Sequence, residues 1–139
     1  MFVLYLNCEQ GFLTSSFLRI LFNLLDEKQK KLFFKHFSQI NNKQIVIKSS
    51  RKKIDFLCYD FAVSRSFLEV KKIVNSFKID KSTKKIANKI FAVLAKTEAK
   101  VHDTTIKSVH FHEVGKLSNI ARILAISYLL HKYFRLYPT

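Results

Sequence analysis

Among 139 residues there are two glycines, Gly11 and Gly115, and one proline, Pro138. Glycine supplies the backbone freedom of tight turns and ligand-cradling loops, and proline and glycine together mark linkers. A chain this poor in both must be built from regular elements joined by polar turns. No stretch reads as a linker or an internal repeat, so one domain over residues 1–139 is expected. The same scarcity excludes phosphate loops of the Walker and dinucleotide types, which need several glycines for close backbone approach. With 48% hydrophobic and 14% aromatic residues, the chain carries enough apolar surface for a real core.

The pattern of those apolar residues predicts an α+β domain with an N-terminal strand, a central β-hairpin and about five helices. Phe2 to Leu6 is a run of strand formers that enters a loop at Asn7–Gly11. A helix follows, with Thr14, Ser15 or Ser16 available as N-cap and Phe17, Leu18, Leu21, Leu24 and Leu25 at helical spacing. Asp26 is placed to cap a second, lysine-rich helix carrying Leu32, Phe33, Phe37 and Ile40. Ile45–Ile47 and Ile54 to Val63 flank the basic turn Ser49-Ser50-Arg51-Lys52 and read as a hairpin. Ser66 and Glu69 form a capping box for a helix ending near Phe77. Asp80 or Ser82 caps the next, whose stripe of Ile86, Ile90, Val93, Leu94 and Val101 runs to His102. A last helix starts near Gly115 and carries Ile120, Ile123, Leu124 and Leu130.

The formal net charge is +15, from 25 Lys and Arg against 10 Asp and Glu. Such a charge attracts anions, including nucleic acid. Only Arg19, Arg51, Arg65, Arg122 and Arg135 are arginines, the residue suited to bidentate phosphate and guanine contacts. A solvated basic surface is therefore the preferred reading over a nucleic-acid binder. Cys8 and Cys58 are far apart and form no C-x-x-C pair, which fits a reducing compartment better than a disulfide scaffold or a zinc ribbon. No apolar run approaches ~18 residues, and the start lacks a positively charged leader, so a cytoplasmic protein without a membrane span is expected.

The densest chemistry lies late in the chain. On a helix ending at His102, Glu98 sits four residues earlier and shares its face. Asp103 tolerates the left-handed conformation that ends such a helix. In an extended segment, His110 and His112 project to one side while Phe111 is buried behind them. With Glu113 these make five candidate ligands in one local unit, a nitrogen-rich set with carboxylates that suits Zn, Ni, Cu or Fe better than Mg or Ca. The structural alternative is that His102 serves the helix dipole and Glu98 pairs with nearby lysines.

Three blocks, R-S-F-L-E-V-K-K-I at 65–73, A-K-T-E-A-K-V-H at 95–102 and V-H-F-H-E-V-G at 109–115, together resemble the N-terminal part of the LarC family of nickel insertion proteins. V-L-Y-L-N-C-x-x-G at 3–11 is similar to that family's opening strand and loop. The resemblance implies CTP-dependent insertion of nickel into a sulfur-bearing pyridinium mononucleotide, the route to the nickel-pincer cofactor of lactate racemase and related enzymes. Carried over, His110, His112, Glu98, His102 and Cys8 are metal-handling positions and Glu113 a catalytic one. Cys8 is equally readable as a small buried residue.

The chain also departs from the family pattern. Where the family opening reads D-C-x-x-G-x-x-G-D-M, this sequence has Asn7, Thr14 and Ser15; after E-V-G, Ser118 and Arg122 stand at two acidic positions. Each lost carboxylate removes a cation ligand, and a cation at Arg122 disfavours another nearby. Family members are much longer, which implies a second chain supplying the C-terminal part. The alternatives are a catalytically degenerate homologue kept as a binding or regulatory module, and a basic nucleic-acid-binding protein.

Overall fold

The structure, a computed structural model, describes residues 13–37, 45–50 and 53–135. The expected N-terminal strand at Phe2–Leu6, with Asn7, Cys8 and Gly11, lies outside the described residues. Five helices are present among them: α1 (Thr14–Asn23), α2 (Glu27–Phe37), α3 (Phe67–Ser76), α4 (Lys81–Val101) and α5 (Leu117–Lys132). Two short antiparallel ladders complete the α+β domain. β1 (Ile45–Ser50) pairs with β2 (Lys53–Cys58), with Ile47 opposite Phe56, and β3 (Arg65–Ser66) pairs with β4 (His110–Phe111), with Ser66 opposite His110.

Local chemistry explains most element ends. At α2, Gln29 N–H donates to Asp26 Oδ1 (2.8 Å) and Asp26 N–H to Gln29 Oε1 (2.9 Å), a reciprocal cap. At α3 the Ser66–Glu69 capping box forms as expected. At α4, Asp80 accepts from Thr83 N–H (2.9 Å), so Asp80 rather than Ser82 is the cap. The far end of α4 closes at Asp103, whose φ of 48° is left-handed, with Thr104 N–H donating to Ala99 C=O (2.9 Å) in a Schellman arrangement.

Two expectations are corrected. The N-cap of α1 is Leu13, without a side-chain cap, because Thr14 Oγ1 is instead hydrogen-bonded to Asn119 Oδ1 (2.7 Å) on α5. The second hairpin strand stops at Cys58 instead of continuing to Val63. There Asp60 turns the chain, its Oδ1 accepting Ala62 N–H (3.1 Å), which offers the backbone an alternative to a strand ladder.

Helix α5 organises the core. Ten of its 16 residues are buried, from Leu117 to Leu129, so its apolar character runs around the cylinder instead of along one stripe. Its C-terminal half packs with Leu18, Leu21, Phe33, Phe37 and Phe56 from α1, α2 and β2. Its N-terminal half packs with Val70, Val74, Phe91, Ala95 and Phe111 from α3, α4 and β4. Phe111 stands edge-on to Phe67 (centroids 6.5 Å apart) and tilted against Phe91 (6.4 Å), which anchors the short strand carrying His110 to two helices.

Candidate functional site

The H-F-H-E-V-G segment crosses from β4 to the start of α5, and its side chains separate as the alternation predicts. Phe111 is buried, whereas His110 and His112 are exposed. They open on a cavity of about 240 Å³ lined also by Glu98 and His102 from the end of α4, with Thr104 and Ser108 between them. Glu98 and His102 share a helix face, and Glu98 Oε1 lies 3.2 Å from His102 Nε2. Both are open to solvent, with side-chain exposures of 41% and 67%. The lysine pairing considered for Glu98 is thus replaced by a histidine.

Glu113 goes elsewhere. Its carboxylate pairs with Lys116 Nζ (2.8 Å), three residues on across the turn before α5, and lines a larger groove between α1, α4 and α5. Four of the six candidate residues therefore surround one cavity, Glu113 faces a second, and Cys8 lies outside the described residues. Among the described residues no three His, Cys, Asp or Glu side chains converge closely enough to hold a metal ion. The cavity presents three imidazoles and one carboxylate that are grouped but not closed.

What fixes this segment was not legible in the motif. Asp60 and Arg65 form a two-stranded ion pair, Nη1 to Oδ2 and Nη2 to Oδ1, each 2.7 Å. Arg65 Nη1 also donates to Gly115 C=O (2.7 Å), and Asp60 Oδ2 accepts Leu117 N–H (2.6 Å). The pair thus grips the backbone on both sides of Lys116 and sets where α5 begins. The Arg65 guanidinium, with help from the Leu117 and Ala62 amides, holds the Asp60 carboxyl far below the usual carboxylate range despite burial. Gly115 is needed because its α-carbon lies against β4: a Cβ there would meet Phe111 C=O at 2.6 Å and Phe111 Cβ at 2.9 Å.

Glu69 is held below the usual range chiefly by the Ser66 N–H and hydroxyl, with Arg65 and His110 adding to the effect. Burial and the nearby Asp60 push the Cys58 thiol up to about 11.

Of the four positions where the resemblance leads one to expect an acid, Asn7 lies outside the described residues and the other three share the second cavity. Ser15, Ser118 and Arg122 all line the groove that Glu113 faces. Arg122 is not an unbalanced cation there: its Nε donates to Asp55 Oδ1 on β2 at 2.8 Å. Burial pushes the Asp55 carboxyl up, but the Arg122 and Phe56 N–H bonds outweigh it and leave it lowered.

An α+β domain that offers three histidines and a carboxylate around one cavity has the donor set of borderline transition metals such as nickel and zinc. The comparison with known proteins agrees with that chemistry. The family model described as "Nickel insertion protein" matches residues 4–134, and the chain belongs to the nickel insertion protein family. Similar proteins include the pyridinium-3,5-bisthiocarboxylic acid mononucleotide nickel insertion proteins of Acetivibrio thermocellus (36% identical over 66 residues, 48% of this chain and 16% of that protein) and Alkaliphilus metalliredigens (40% over 68 residues, 49% and 16%). That of Akkermansia muciniphila is 39% identical over 59 residues, 42% of this chain and 14% of its own. The aligned stretches thus span less than a fifth of the length of these relatives. No solved structure matches. Among the described residues no helix is long and apolar enough to cross a membrane.

Proposed function

We propose that the chain is a nickel-handling domain, an N-terminal-like unit of its family, and that nickel is its cargo. The carrying observation is the single cavity lined by Glu98, His102, His110 and His112, four residues from two separate sequence blocks. His110, His112 and His102 supply imidazole nitrogens and Glu98 a carboxylate. Their exposure leaves the side chains free to change rotamer, so an arriving ion can draw them together at modest conformational cost. In this reading Asp60 and Arg65 hold the backbone that carries the histidine pair, and Glu113, across the segment, is the acid–base group.

The relatives' names point to insertion into a pyridinium bisthiocarboxylic acid mononucleotide, and we assign this chain a role related to that step. CTP as co-substrate, a second chain supplying the remainder of the family's length, and a cytoplasmic location belong to the same proposal. A second reading, a degenerate homologue kept as a binding or regulatory module, has its own support: Glu113 is engaged by Lys116, and Ser15, Ser118 and Arg122, where the resemblance leads one to expect acids, line the groove it faces. Equilibrium dialysis against nickel separates the two. The first predicts saturable binding that falls at least tenfold in the His110→Ala/His112→Ala double variant. Binding unchanged by that substitution contradicts it.

A further inference from the structure

The groove between α1, α4 and α5 is distinct from the histidine cavity. It encloses about 520 Å³, inside the ~300–1,000 Å³ range of small-molecule sites. Most of its wall is apolar, from Phe17, Ile90, Leu94, Ile123, Ile126 and Leu130. Ser118, Arg122, Ile126 and Leu130 all line it and follow one another at intervals of four along α5, so they form a single row on that helix. The row is polar at its N-terminal end and apolar beyond. From Arg122 to Leu130 it runs ~12 Å at 1.5 Å per residue, about the length of an extended ten-carbon chain.

The charge at the polar end is arranged for an anion. Lys116 is matched by Glu113 at 2.8 Å. Arg122 commits its Nε to Asp55, which orients the guanidinium, while its two terminal nitrogens carry no hydrogen bond among the described residues. Asp55 pairs with Arg122 and also feels the charge of Arg19, so the cations near it outnumber it. A guanidinium held through Nε with its outer edge open matches a carboxylate in bidentate geometry. From this geometry we infer that the groove binds an amphipathic aliphatic carboxylate, its head on Arg122 and its tail along Ile126 and Leu130. This inference concerns a cavity that none of the imidazoles enters and does not depend on nickel.

Isothermal titration of the full chain with decanoate and with 1-decanol, in chelator to remove metal, tests it. The expected result is saturable decanoate binding at least tenfold tighter than decanol, with the preference reduced to near unity in Arg122→Gln. Equal affinity for acid and alcohol, no saturable binding, or a preference for the acid that survives Arg122→Gln would overturn it. The wild-type comparison of acid and alcohol decides the matter even where the variant does not fold.

Discussion

Asp60 and Arg65 are joined by two hydrogen bonds of 2.7 Å, and together they hold the backbone at Gly115 and Leu117, 50 and 57 residues away in sequence from the side chain that binds each. This pair ties the loop after β2 to the entry of α5 and so determines how the histidine segment is presented. Removing either partner leaves the other charge half-buried and frees both backbone contacts. Arg65→Ala and Asp60→Ala are each expected to cost about 2–4 kcal/mol of stability by urea unfolding, with weaker nickel binding in proportion to the loosened segment.

The same pair sets an acid dependence. The Asp60 carboxyl is depressed in the folded state, so its contribution is fully present above the unfolded value near 3.8 and is lost as pH falls from there toward the folded value. Thermal melts of the wild type should therefore drop steeply below about pH 4. Asp60→Asn should start lower at pH 7 and show a shallower fall. Parallel curves for the two proteins would exclude Asp60 as a source of the acid sensitivity.

Gly115→Ala places a methyl group 2.6 Å from a backbone oxygen of Phe111. Because backbone cannot rotate aside as a side chain would, β4 or the turn must shift. A loss of about 1–3 kcal/mol is expected from chemical denaturation.

Much of this arrangement can be read from the sequence, and the limits have physical causes. The extent of α4, the caps at Asp26, Ser66 and Asp80 and the left-handed Asp103 all depend on neighbours within a few residues, where spacing is informative. So does the division of His110 and His112 from Phe111. Of the stripe expected on α4, Ile86 is buried but Val93 and Val101 are exposed, and the buried face runs instead through Phe91, Ala95 and Ala99. The cap of α1 is not legible in the sequence, because Thr14 takes its partner from Asn119, 105 residues on. Asp60 gave no local signal, since its bonds to Arg65, Ala62 and Leu117 combine a short turn with a contact across 57 residues. Arg65 lay inside a recognised block, but nothing in that block indicates Gly115 as its acceptor. The substitution at Arg122 was legible as a departure. Its compensation by Asp55, across 67 residues, was not.

That compensation can be tested by charge exchange. Arg122→Asp sets a second carboxylate against Asp55 and is expected to destabilise the fold by about 1–3 kcal/mol. Pairing it with Asp55→Arg should recover part of the loss, a coupling that a double-mutant cycle reads directly. Additive losses would mean that the 2.8 Å contact contributes nothing to stability.

The central claim is that the cavity of Glu98, His102, His110 and His112 takes nickel. Its most direct test is the metal content, by plasma mass spectrometry, of protein purified without a polyhistidine tag, loaded with nickel and desalted. The account predicts a stoichiometric amount of nickel on the wild type and background on the His110→Ala/His112→Ala variant. Background on both, or equal loading of both, would contradict it.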